Sequence, residues 1–366
     1  MKRSMNNRIK LFEPIYDHLE KRIIQQVLTS GFWASGAGIG NVKVFEKKFQ
    51  KYIGSKSCVA VNSGTAALQL ALSIPNIKGK EVILPSLTFV STAHSVVYNG
   101  GKPVFVDVDP DTLCIDPQKT EEAISSQTSV ILPVHFAGMS SNLLKLARIA
   151  KKNKCMLIED AAHAAGTIFE NKKIGIHGDL VCFSFHPVKN LAMPTGGLIS
   201  INHNSHKEIT NTLLSRRWCG ITDRKDTSYD VKEIGWNYYM NEFSAAIGLV
   251  QLKKLDRLNL IRRNIAKRYS EGIKIDKKMP YNKNCSYHFY WILVKNRTKF
   301  RKMMTDAKIE TGTHYRPIHT MSMYKNKVKL ETTEKIGNEI VVLPTPPNLS
   351  NDDLNRILST VNSFSR

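Results

Sequence analysis

At 366 residues, 42% of them hydrophobic, the chain is long enough for one large domain and a smaller one. No apolar run reaches the length of a membrane span, and no apolar segment follows the basic start Met1-Lys-Arg-Ser, so neither an anchor nor a secretory leader is expected. The net charge of +22 is spread along the chain with no RNA or DNA motif beside it. It reads as a lysine-rich solvated surface with at most a steering role toward anionic small molecules, and nucleic acid is not an expected partner.

In chain order, residues 19–28 and 44–52 carry apolar residues at helical spacing, separated by a Gly-rich loop over residues 30–40. Short apolar runs then predict strands at residues 58–61, 81–84, 103–108, 129–134, 155–159, 180–185 and 197–201. Helical patterns at residues 65–73, 89–98, 120–124 and 143–152 fall between them. This alternation predicts an α/β fold built on a mainly parallel sheet covered on both faces. Residues 241–260 predict one long helix that links residues 1–250, the large domain, to residues 251–366, the small one. In the smaller part, residues 287–294 and 340–343 read as strands, and residues 299–307 and 351–361 as helices. The six cysteines, at 58, 114, 155, 182, 219 and 285, show no CxxC spacing. They read as reduced, mostly buried thiols in a cytoplasmic protein, and no metal site is expected.

Ligands of parallel α/β sheets sit at the carboxyl ends of the strands. Residues 62–65, 85–89, 160–163 and 184–189 all fall there. Lys189 follows an apolar strand, and a lysine in a partly desolvated site becomes a nucleophile. Asp160 ends Met156-Leu-Ile-Glu-Asp160, either as a helix cap or as a partner for a pyridinium nitrogen. Ser63-Gly-Thr65 opens a helix, either as a simple cap or as a phosphate cradle. Together they make three parts of a pyridoxal phosphate (PLP) site: Schiff-base lysine, pyridinium acid and phosphate turn. His163 is either a contact to the ring oxygen or a structural hydrogen-bonder, and Phe89 either a stacking ring or a core residue. The aromatic-rich loop at residues 235–246 is of a kind that packs an interface. His314-Tyr-Arg-Pro-Ile-His319 is either a turn or a set of groups for sugar hydroxyls and phosphates.

The order and spacing of these segments resemble the DegT/StrS-type sugar aminotransferases, nearly end to end. The resemblance implies the type I fold of PLP-dependent transferases: a large domain with a mainly parallel seven-stranded sheet and a smaller C-terminal α+β domain. It implies transfer of an amino group, with glutamate as donor, to a nucleotide-linked keto-deoxysugar through a Lys189 internal aldimine and pyridoxamine phosphate. By resemblance, Lys189 is catalytic, Asp160 the pyridinium partner and His163 the neighbour of the ring oxygen. Gly64, Thr65 and Ser184 would hold the phosphate, and Phe89 would stack on the ring. Asn237 would reach the phosphate of a neighbouring subunit, which implies a homodimer with shared sites. Tyr315 and His319 would approach the substrate. Three departures from the family pattern stand out: Thr195 replaces an acidic residue after the lysine, Tyr239 replaces an arginine, and Arg316 occupies the variable position of an otherwise intact His-Tyr-x-Pro element. A related branch with histidine in place of the lysine dehydrates sugars, and Lys189 argues against it. Amination of a non-sugar ketone, and a PLP-binding regulator without turnover, are the alternative readings.

Overall fold

A computed structural model describes residues 8–325 and 328–364. All seven expected runs are strands of one sheet: β1 (Ser57–Val61), β2 (Glu81–Pro85), β3 (Lys102–Val106), β4 (Thr128–Ile131), β5 (Met156–Asp160), β8 (Leu180–Ser184) and β9 (Gly197–Ile201). Between them lies a small hairpin, β6 (Ile168–Phe169) and β7 (Lys172–Lys173). The sheet order is β1-β9-β8-β5-β4-β2-β3. Neighbours from β8 through β3 run parallel, while β9 is antiparallel to both β1 and β8. The connection from β8 to β9 carries no helix, so the chain doubles back instead of crossing over. Val82, Ile83, Val130, Ile131 and Ile158 are fully buried, as strands covered on both faces require.

The long helix Glu242–Gly272 starts where Asn241 accepts a hydrogen bond from the Ser244 N–H, and it runs beyond the expected end at residue 260. Its early residues Ala245 and Leu255 pack with Phe45, Phe49, Phe183 and Phe185. Its late residues Ile265, Ala266 and Tyr269 pack in a second core around Trp291 and residues 340–343. The change of core therefore falls between Leu255 and Ile265. The second core is built on β12 (Tyr290–Leu293) paired antiparallel with β13 (Ile340–Leu343). Helices Arg297–Asp306, Glu331–Glu339 and Asn351–Ser363 surround that pair.

Besides the β6–β7 hairpin, several features were not expected. The helices His206–Arg216 and Glu331–Glu339, and the exposed hairpin β10 (Ile221–Lys225) with β11 (Ser228–Val231), are too polar for their pattern to show. Another is the packing of Ile9 and Leu11 in the core around Trp291, with Ile9 N–H on the Lys308 carbonyl at 2.8 Å and Glu310 N–H on the Ile9 carbonyl at 2.9 Å.

A buried ion pair ties the Gly-rich loop to the sheet. Glu46 Oε1 lies 2.7 Å from Arg217 Nη1 and accepts the Ala60 N–H at 2.9 Å. Gly38 has φ +64°, and a Cβ there would sit 2.0 Å from Arg217 Nη2, so this loop position demands glycine. All six cysteines are free; five are buried and Cys219 is exposed. Among the described residues no helix is long and apolar enough to cross a membrane, and no cluster of ligands for a metal ion occurs.

Candidate active site

A cavity of about 310 Å³ opens at the carboxyl ends of β1, β2, β5 and β8. Eight of the ten expected site residues line it: Gly64, Thr65, Phe89, Asp160, His163, Ser184, Lys189 and Tyr315.

Lys189 sits on a turn whose geometry is set locally and from below. Its N–H donates to the His186 carbonyl at 2.8 Å. The next residue, Asn190, is buried and donates to Asn259 Oδ1 and to the Ser286 carbonyl, both at 2.8 Å, which fastens the turn to the long helix. Sequence reading missed Asn190; its position directly after the lysine is the only signal. Burial pushes the Lys189 amine down from 10.5 to about 8, partly opposed by the Asp160 carboxylate. Lys189 should therefore be acylated by acetic anhydride with a midpoint near pH 8, where an ordinary lysine would show about 10.4. Competitive labelling of the apoprotein with peptide mass analysis measures this, and a midpoint near that of surface lysines would contradict the buried setting.

Asp160 ends β5 with both oxygens held. Oδ2 accepts from Thr92 Oγ1 at 2.9 Å and Oδ1 from the Ala162 N–H at 3.1 Å. Thr92 in turn meets Thr88 at 3.1 Å. Burial raises the carboxyl above its usual range, while those two donors pull it back. A cationic ring N–H would supply the charge partner that this desolvated carboxylate needs.

The phosphate turn is both of its alternatives at once. Ser63 caps the helix Gly64–Leu72 by accepting the Ala66 N–H at 3.1 Å. Gly64 and Thr65, at the first turn of that helix, line the cavity, and their N–H groups have no carbonyl partner within the helix. Thr65 and Ser184 hydroxyls make no hydrogen bond to protein among the described residues. A Cβ at Gly64 would lie 2.7 Å from the Ser184 Cβ, so only glycine lets the turn close on β8. Two unpartnered hydroxyls at a helix start fit a phosphate, and the desolvated amine with its carboxylate fits the remainder of PLP.

Phe89 is 54% exposed at the rim, with its ring 6.0 Å from that of Tyr315, so it is not a core residue. His163 lies between the Ala137 N–H, 3.3 Å from Nδ1, and Tyr315 Oη, 3.2 Å from Nε2. Burial holds the His163 imidazole far below its usual range, and the charge of Lys189 adds to this. His314, also in the lining, is pushed down to about 4, first by burial and then by Lys189. Thr195 lines the cavity and donates to the Asn62 carbonyl, so where the family has an acid this chain ties the approach to β9 to the phosphate turn.

Two expected residues do not reach the cavity of their own chain. His319 is buried, with Nδ1 2.7 Å from Ser86 Oγ and Nε2 3.2 Å from Glu334 Oε1; it braces the segment that carries Tyr315. Asn237 is exposed, and its carbonyl accepts from Asn62 Nδ2 at 3.3 Å. Its neighbours Trp236 and Tyr238 stack on each other at 5.9 Å and pack against the core of their own chain. Tyr238 donates to Gln69 at 2.8 Å.

Residues 14–362 match the DegT/DnrJ/EryC1/StrS aminotransferase family. The spore coat polysaccharide biosynthesis protein SpsC of Bacillus subtilis is 32% identical over 95% of both chains. GDP-perosamine synthase of Escherichia coli O157:H7 is 31% identical, covering 97% of this chain and 98% of its own. Among solved structures, Spr1654 from Streptococcus pneumoniae, known in PLP and PMP forms, superposes with a TM-score of 0.92 at 25% identity over 98% of each chain. With a lysine, a carboxylate and a phosphate turn meeting in one cavity, and with this match along nearly its whole length, the chain belongs to the DegT/DnrJ/EryC1/StrS family and is a PLP-dependent sugar aminotransferase.

Proposed function

We propose that this enzyme transfers the amino group of glutamate to a ketone on a nucleotide-linked deoxysugar, in a homodimer whose subunits complete each other's sites. The observation that carries the proposal is the meeting of Lys189, Asp160 and the Ser63–Thr65 turn in one cavity. Likeness to a GDP-perosamine synthase over nearly all of both chains supports a nucleotide-linked substrate. The charge of +22 suits a diphosphate. The side chain of Asn237, exposed and outside its own cavity, is free to serve a second copy. Free thiols fit a cytoplasmic setting. The domains divide within the long helix, where its packing changes cores.

Bound PLP supplies the electron sink that makes the donor's α-C–H acidic. Asp160 holds the proton on the ring nitrogen. The N–H groups of the Gly64 turn, with the Thr65 and Ser184 hydroxyls, fix the phosphate, and Phe89 covers one face of the ring. Lys189 Nζ, lowered to about 8, would take the proton from the donor carbon and deliver it to the carbon on the other side of the shared nitrogen. Amination of the sugar ketone is the same proton movement in reverse, with both substrates held in one geometry.

The test takes two steps. Glutamate added to the PLP-loaded enzyme should bleach its yellow band, and the bleached enzyme should add an amine to a nucleotide ketosugar, read by product mass. A band indifferent to glutamate would remove glutamate as donor. A product that has lost water would replace transfer by dehydration.

A further inference from the structure

We propose that the pocket on the outer side of the Tyr315 segment is a second anion site, which takes a phosphate group through Arg297 and Arg316. The segment is a partition. His314 and Tyr315 line the catalytic cavity, whereas Thr313, Arg316 and Pro317 line a separate pocket of about 550 Å³. Arg316 is the guanidinium of the His314–His319 stretch, and it does not line the catalytic cavity. Three elements build the pocket. Arg297 comes from the first turn of the helix Arg297–Asp306, Arg316 from the partition, and Glu334 and Asn338 from the helix Glu331–Glu339. Gly337 sits inside that last helix, where glycine weakens it. A Cβ there would lie 2.4 Å from Pro317 Cδ, so only glycine lets the helix close the floor of the pocket.

The pocket is rich in donors and short of acceptors. A guanidinium carries five N–H groups. Arg297 spends one, from Nη1 to the Gly337 carbonyl at 2.6 Å. Arg316 spends two, from Nε to Thr320 Oγ1 at 3.1 Å and from Nη2 to the Thr320 carbonyl at 2.7 Å. These bonds fix both guanidiniums in place without neutralising either. The Thr313 hydroxyl and the Asn338 amide have no protein partner among the described residues. Glu334 is the one carboxylate of the lining, and its Oε1 is taken by the Leu330 N–H at 3.1 Å and by His319 Nε2 at 3.2 Å. Neither arginine forms an ion pair with Glu334 or with another described carboxylate. Burial, and then the charge of Arg301 one turn along the helix, lowers the Arg297 guanidinium from its usual range, as where a counter-charge is missing. Two forked cations that approach from different elements match the several oxygens of a phosphate better than the single plane of a carboxylate.

The experiment follows the phosphorus NMR line of inorganic phosphate added to PLP-loaded protein, in which the Gly64 turn is already filled. Wild type should bind with a dissociation constant on the order of 1 mM, the strength of two or three hydrogen bonds to a charged group. Arg297→Gln and Arg316→Gln should each weaken binding about tenfold. Lys145→Gln removes an exposed charge from the large domain and should leave it unchanged. Arg316 is exposed, so its variant keeps the fold and decides the matter alone if the Arg297 variant does not fold. No saturable binding in wild type, unchanged binding in Arg316→Gln, or an equal loss in Lys145→Gln would overturn the proposal. GDP separates the two sources of such a group, and either result upholds the site. GDP that displaces phosphate and itself binds more weakly to Arg316→Gln identifies the diphosphate of a nucleotide; phosphate that GDP leaves in place identifies the free ion. None of these readings involves turnover, so the site can fail while the assignment of Lys189 stands.

Discussion

Lys189→Ala is expected to lower kcat for transamination by about a thousandfold or more, the range seen when a covalent nucleophile is removed. Nothing in the lining replaces it. Lys189 is the only lysine there, and His163, His186 and His314 are all pushed toward the neutral form with no way to form a stable Schiff base. The effect should lie in kcat, with cofactor still bound through the Gly64 turn and Asp160. Added methylamine should restore part of the rate, because a diffusible amine can take and return the proton that Nζ moved. The readouts are steady-state rates with and without methylamine, and the loss of the lysine-bound absorption band. Multiple turnover retained by the alanine variant would end the assignment of Lys189.

Glu46→Ala should destabilise the fold by about 3–5 kcal/mol, the range for breaking one side of a buried ion pair. Arg217 is 1% exposed and Glu46 3%, so the guanidinium left behind has no water to turn to. The Ala60 N–H of the sheet loses its acceptor at the same time. Replacing both ends, Glu46→Leu with Arg217→Met, should recover most of the loss, because the expense lies in the uncompensated charge rather than in the missing attraction. Chemical denaturation of the three proteins measures this. A single variant with an unmoved midpoint, or a double variant weaker than the single, would refute the argument.

Sequence legibility followed the physics of each element. The seven central strands were readable because β2, β4, β5 and β8 are buried on both faces and so read as unbroken apolar runs. Lys189 and Asp160 were readable because each terminates such a run. The helices His206–Arg216 and Glu331–Glu339 were not, since their buried residues are few and scattered among polar ones. Contacts between distant segments were also invisible. Nothing near His163 announces Ala137 or Tyr315, and nothing near His319 announces Ser86, so these partners could not be read from the sequence. Asn190 and Arg217 matter only through partners far away in the chain.

The pairing of residue 9 with residues 308–310 has a temporal consequence. Leu11 N–H bonds to Glu310 across a separation of 299 residues. At roughly 5–20 residues per second a ribosome needs about 15–60 s to deliver that partner. The segment at residue 9 therefore waits, without these partners, while the sheet from residue 57 to 201 is synthesised and free to fold. When it docks, it brings Phe12 onto His288, stacked at 5.1 Å, directly behind His163. Residues 9–12 are thus placed late, and the wall behind the cofactor site is finished only when they have met residues 308–310.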